Sequence, residues 1–274
     1  MCGIVGATAQ RNVYKILIEG LHRLEYRGYD SAGLSILDSD NVLQTRKTIG
    51  KVADLEAVCK GNFVSGNTGI SHTRWATHGA PSSINSHPHV SAGISIVHNG
   101  IIENHDALRE ELRPAGYESQ SDTDSEVIAH LVHQQLETCT DLRDAVQKTI
   151  TRLEGAYALG VMSDDYPGLI VGARSGSPLV VGVGIDEHFL ASDQMALRQA
   201  TDRFVYLEEG DVVELSSEAF SVFGANGKAV KREIHQMSET DQRADKGQYR
   251  HFMQKEMFEQ ATVLADTFAG RIGA

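Results

Sequence analysis

The sequence has no run of clustered lysine and arginine, no long apolar stretch and few cysteines, and each shortage removes a class of function. With 25 basic against 37 acidic residues the net charge is −12, so there is no basic surface to neutralise a phosphate backbone, and no nucleic-acid partner is expected. No segment approaches the roughly 20 apolar residues of a membrane span, and the start lacks the basic and apolar pattern of an export signal. A soluble, cytoplasmic protein without a membrane partner is expected. The three cysteines, Cys2, Cys59 and Cys139, are odd in number and widely spaced, which suits a reducing compartment better than a disulfide framework. Cys59 and Cys139 end helical patterns and read as buried bystanders.

At 274 residues with 41% hydrophobic content, the chain can bury a substantial core as one large domain or two smaller ones. Asn12 can cap a helix carrying Ile16, Leu17, Leu21 and Leu24 at helical spacing. Short strands are predicted at Cys2 to Ala7, Ala32 to Leu37, Gly69 to Thr73 and Ile94 to Val97. Helices follow over Asn104 to Leu112, Asp124 to Leu136 and Leu142 to Leu153. Further strands come after Ala156, with one hairpin expected across Glu208-Glu209-Gly210-Asp211 and another across Asn226-Gly227. Grouped strands separated by pairs of helices suggest stacked sheets with helices outside, an α+β layering. From about Glu239 the composition turns polar. A helical apolar stripe then runs through Tyr249, Phe252, Met253, Met257, Ala261, Leu264 and Phe268, read as a connector to a further domain, with packing back on the body as the alternative.

Cys2 follows Met1 directly. Removal of Met1 would leave a thiol and an α-amine on one residue, a nucleophile beside its own base, since the two groups titrate close together, near about 8.5 and 7.7 to 8.0. The plain alternative is a small apolar residue opening a strand. The run His72-Thr73-Arg74-Trp75-Ala76-Thr77-His78-Gly79 gathers a carboxylate-binding guanidinium, the one tryptophan, a hydroxyl and two imidazoles. Arg74 there suits an α-carboxylate or a surface ion pair. His98-Asn99-Gly100 offers an amide and a flexible N–H for an oxyanion, or equally a tight turn. Asp122-Thr123-Asp124 opens a helix and reads first as capping. His87-Pro88-His89 and the pair His130 and His133 lack zinc-type spacing, and Gly182-Val183-Gly184 lacks the third glycine of a dinucleotide fingerprint. No metal and no cofactor is expected.

These motifs, Cys2-Gly3-Ile4, Arg27-Gly28-Tyr29-Asp30-Ser31-Ala32-Gly33, the Arg74 run, His98 through Asn104 and Ser121 to Asp124, together resemble the glutaminase domain of the glutamine:fructose-6-phosphate amidotransferase family. The resemblance runs from Cys2 to about residue 235 and extends into Tyr249 to Glu256, similar to that family's bridge to its isomerase half. It implies a four-layer αββα fold of the N-terminal-nucleophile hydrolases, with residues 2–238 as the glutaminase domain and 239–274 as a bridge toward an isomerase domain absent from this chain. It assigns Cys2 as nucleophile, Asn99 and Gly100 as oxyanion hole, Arg74 and Asp124 as holders of the glutamine carboxylate and ammonium, and Trp75, Thr77 and His78 as a closing loop. Arg27 and His87 match family positions near the nucleophile or the domain interface. L-glutamine is the implied substrate, with fructose 6-phosphate used only by the full-length enzyme, expected as a homodimer. The family usually has proline after the Glu-Gln pair, whereas Ala261 follows Glu259-Gln260 here, so the helix should run on. An asparagine-synthetase-type glutaminase domain and a silent glutamine-sensing module are the competing readings.

Overall fold

A computed structural model of the chain describes residues 2–237, 249 and 252–268, and it divides into two units, 1–236 and 237–274. In order, the first unit contains β1 (Gly3–Ala9), α1 (Tyr14–Leu24), β2 (Ser31–Leu37), β3 (Leu43–Ile49), α2 (Val52–Gly61), β4 (Thr68–Arg74), β5 (His89–Ser91), β6 (Ile94–Ile102), α3 (His105–Leu112), α4 (Glu126–Leu136) and α5 (Leu142–Ile150). It continues with β7 (Gly155–Ser163), β8 (Ile170–Ser175), β9 (Val180–Val183), β10 (Glu187–Ala191), β11 (Arg203–Tyr206), β12 (Val212–Leu215), β13 (Phe220–Phe223), β14 (Ala229–Val230) and β15 (His235–Gln236).

The strands form two sheets, ordered β15-β11-β9-β10-β1-β4-β2-β3 and β14-β13-β12-β8-β7-β6-β5. Every strand pair named is antiparallel. Alternation along β6 explains the layering. Val97 enters the core shared by the sheets with Ile4, Ile70 and Leu190, whereas Ile94, Ile96 and Ile102 pack under α4 and α5 with Val127, Leu131 and Val146. Helices α1 and α2 cover the other sheet. The result is the expected four-layer αββα sandwich.

Asn12 Oδ1 accepts the Tyr14 N–H at 3.0 Å, but the cap position of α1 falls one residue later, at Val13, which makes no side-chain cap bond. Local patterning misleads in two places. Phe204 to Leu207 and Val212 to Leu215 are not a hairpin, because β11 pairs with β9 in one sheet and β12 with β8 in the other. Glu208 to Asp211 is therefore a crossover between layers, held by the buried Asp211, which accepts two hydrogen bonds from Arg232 at 2.8 and 2.9 Å. His98-Asn99-Gly100 is not a turn either. Strand β6 continues through it, paired with β7 in register Asn99↔Ala158 and Gly100↔Tyr157. The Asn226-Gly227 hairpin does form between β13 and β14. Cys139 is only half-buried, unlike Cys59, and all three cysteines are free thiols.

In the second unit α6 (Phe252–Phe268) runs through Ala261 without a break, as the missing proline allows. Met253, Met257 and Leu264 of the apolar stripe are exposed, and Tyr249 stacks on Phe258 with centroids 5.6 Å apart. Met1, Arg250, His251 and the polar break expected from Glu239 lie outside the described residues. Among the described residues no helix is long and apolar enough to cross a membrane.

Candidate active site

Cys2 stands immediately before β1, a central strand flanked by β4 and β10. Gly3 lets the chain lie close to its neighbours there, since a Cβ at that position would come within 2.7 Å of both Leu24 Cδ1 and Thr73 Oγ1. The thiol is anchored to the end of β4: Trp75 N–H donates to Cys2 Sγ at 3.1 Å, and Sγ lies 3.6 Å from Trp75 O. Burial pushes the Cys2 thiol up; the Trp75 N–H and Arg74 pull it down less, and Asp30 adds to the rise. The resting group is therefore a neutral thiol that must lose its proton during attack.

The second sheet reaches this point through β6. Asn99 Nδ2 donates to the Cys2 carbonyl at 3.1 Å, which leaves the amide a further N–H. At Gly100 the backbone has φ of +137°, and a Cβ would sit 1.9 Å from Ala156 O. Only glycine fits that close approach.

Arg74 is 3% exposed at the end of β4. Its Nη2 donates to the carbonyls of His78 and Gly79, the latter at 2.9 Å, so it folds the 75–79 loop around itself. Its Nη1 lies 3.5 Å from Asp30 Oδ1 and has no hydrogen-bond partner. Asp30 also accepts the Ala76 N–H. Asp124 is not the cap of α4. The carboxylate crosses to β6, where Oδ2 accepts the Ile102 N–H at 2.8 Å, while Oδ1 faces His78 Nδ1 at 3.9 Å. Glu126 holds the loop before α4 instead, accepting from the N–H groups of Gln120 and Ser121 and the Ser121 hydroxyl. A buried guanidinium with a free donor and a buried carboxylate thus flank one loop, a pair suited to an amino acid's two charged ends. Thr77 Oγ1 contacts His78 Nδ1 at 3.3 Å within that loop.

Arg27 pairs with Asp193 at 2.8 Å. Its neighbour Gly28 contacts the site through Trp75, whose ring occupies the space of a Gly28 side chain. His87 is buried between the sheets, its ring 4.1 Å from that of His72 and 4.7 Å from that of His89. Burial drives His72, His87 and His89 far down, His72 to about 3. His130 and His133 both bond Ser91 Oγ through Nδ1 at 3.0 Å. Among the described residues no group of three or more ligating side chains converges. The sequence gives Asp30 no role, offers His72 only as one of the two imidazoles of the Arg74 run, and does not mark Asn85 or Arg109. Asn85 ties the 79–85 loop to Asp122, and Arg109 donates to Thr123 O.

The fold and this thiol-centred site define an N-terminal-nucleophile enzyme of the glutamine amidotransferase type. The model of the glutamine amidotransferase domain family matches residues 72–199. It is similar along its whole length to glutamine-fructose-6-phosphate aminotransferase (isomerizing) of Vibrio vulnificus CMCP6, at 57% identity over 274 residues, and of Pseudomonas putida KT2440, at 56%. The chain spans 45% of the length of those relatives. Among solved structures, the glutamine phosphoribosylpyrophosphate amidotransferase of B. subtilis in complex with ADP and GMP matches 87% of the chain and 50% of its own, with TM-score 0.67 and 25% identity. A class-II glutamine aminotransferase domain protein of Silicibacter pomeroyi, at 16% identity and TM-score 0.53 over 86% of this chain and all of its own, shares the fold.

Proposed function

We propose that this chain hydrolyses L-glutamine to L-glutamate and ammonia through a γ-glutamyl thioester on Cys2. In a longer protein carrying an isomerase domain, that ammonia serves the synthesis of glucosamine 6-phosphate from fructose 6-phosphate. The observation that carries the reading is the convergence on Cys2 of a backbone N–H at its sulfur and a side-chain amide at its carbonyl. Arg74 and Asp124 hold the α-carboxylate and α-ammonium. The Cys2 thiol passes its proton to the α-amine freed by removal of Met1 and attacks the carbonyl carbon of the γ-amide. Negative charge develops on the amide oxygen, facing Asn99 Nδ2 and the Gly100 N–H. The C–N bond then breaks as the amine returns its proton to departing ammonia, and water cleaves the thioester. Residues 75–79, with Trp75, Thr77 and His78, close over the substrate, while Arg27 and His87 stay outside the reacting set.

The domain needs no cofactor, works in the cytoplasm, and pairs as a homodimer in its full-length context. Whole-length similarity to fructose 6-phosphate enzymes supports this branch over an asparagine-synthetase-type domain. Stoichiometric labelling with a glutamine-mimicking electrophile, followed by mapping of the adduct, tests the nucleophile. The adduct belongs on Cys2 alone, and Cys2→Ser abolishes both labelling and ammonia release. Labelling of Cys59 or Cys139 at equal rate, or an active Cys2→Ser, overturns it.

A further inference from the structure

We infer that His72 is a positioning residue for the oxyanion hole: its Nε2–H sets which way the Asn99 amide points, and thereby aims Nδ2 at the nucleophile. The inference rests on the proposed role of Asn99. His72 lies on β4 and Asn99 on β6, so the contact joins the two sheets at the site's floor. His72 Nε2 is 3.0 Å from His98 O and 2.9 Å from Asn99 Oδ1.

The logic is forced in one direction. A backbone carbonyl can only accept, so His98 O requires the proton of His72 on Nε2. With that nitrogen a donor, Asn99 must offer its oxygen to it, and Nδ2 is left facing Cys2, where it bonds the carbonyl at 3.1 Å. A reversed amide would oppose two donors at His72 and two oxygens at Cys2. The other nitrogen of His72, Nδ1, is buried with no partner, against the His87 ring at 4.1 Å. The imidazole is thus held by Nε2 alone and supplies one donor to two acceptors. It touches no reacting atom.

Removing the donor, as in His72→Phe, leaves two buried acceptors facing each other, and the cheapest relief is reversal of Asn99 to donate to His98 O. That turns oxygen toward the developing oxyanion, so kcat should fall on the order of 10- to 100-fold while KM changes less than about 2-fold. His72→Gln carries a donor at nearly the same reach and should recover most of the rate. In an Asn99→Ala background, itself down on the order of 10²- to 10³-fold, His72→Phe should add nothing. Nitrogen-15 NMR of histidine-labelled protein should find His72 as the Nε2–H tautomer.

A wild-type kcat in His72→Phe, a full further loss on the Asn99→Ala background, or an Nδ1–H tautomer each overturns the inference. Thermal unfolding separates misfolding from misaiming, and a folded but unrescued His72→Gln also counts against it. If Asn99→Ala itself turns over normally, the assigned hole fails rather than the positioning.

Discussion

Gly28→Ala tests whether the Trp75 loop holds the nucleophile through its backbone. Gly28 ends the 3-10 turn Glu25–Arg27 with φ of 85° and ψ of 149°, a region essentially closed to residues with a Cβ and costing about 1–3 kcal/mol. The new methyl would lie 2.0 Å from Trp75 Cζ3 and 2.5 Å from Cε3, against an ordinary contact near 3.5 Å, so the ring must retreat by about 1.5 Å. Trp75 is 53% exposed, so it can move outward without opening the core. The stability cost is therefore the backbone strain, and Tm drops by about 2–4 °C per kcal/mol for a unit of this size. The functional cost is different. Moving Trp75 pulls its N–H from Cys2 Sγ, now at 3.1 Å, and a hydrogen bond to a developing thiolate is worth about 1.5–3 kcal/mol, or roughly 10- to 100-fold in kcat/KM. Glutamate production gives the rate, and the pH profile of thiol alkylation gives the cause. The Trp75 N–H lowers the thiol pKa, so loosening it should move the alkylation inflection upward. A variant with lowered Tm but unchanged kcat/KM and inflection would refute the coupling.

Asp124→Asn keeps an oxygen for the Ile102 N–H but removes the charge, so KM for glutamine should rise about 10- to 100-fold with a smaller change in kcat, an electrostatic loss of about 1.4–2.7 kcal/mol; an unchanged KM sinks the ammonium assignment. Arg74→Lys can still place one nitrogen near His78 O and Gly79 O, both bonded by Nη2 alone, but loses the second guanidinium nitrogen left for a carboxylate, and should raise KM similarly; an unaltered KM would contradict that. Lys47→Met should raise Tm at pH 7. Burial pulls Lys47 down to about 8 against the opposing pull of Glu126, so the unfolded chain binds more protons between about pH 8 and 10.4. The penalty is complete below pH 8 and relieved as pH climbs toward 10.4, so the variant's gain should vanish there, and a gain independent of pH would show that packing is responsible.

Much of the layering was legible because local alternation reports burial. The strands β1, β2, β4 and β6 and helices α3 to α5 each carry their own period. Leu43–Ile49 escaped notice because β3 is an edge strand, half-buried along nearly its whole length, and Lys47 and Arg46 break any alternation. The Glu208-Glu209-Gly210-Asp211 segment has hairpin chemistry, yet its flanking strands belong to different sheets. Turn residues state that a chain bends, not which partner awaits it. Asp124 misled for a similar reason: carboxylates at helix starts usually cap, but here the Ile102 N–H, 22 residues away, competes successfully.

The sequence by itself determined that Cys2 adjoins Met1, the charged and aromatic run around Arg74, and the α+β layering of stacked sheets with helices outside, because adjacency and periodicity are properties of neighbours along the chain. Only the tertiary structure decided that Asn99 meets Cys2 across 97 positions, that His72 controls the face Asn99 presents, and that Gly28 makes room for Trp75. Those contacts arise from the register and stacking of two sheets, and pairing between distant strands leaves no mark in local spacing.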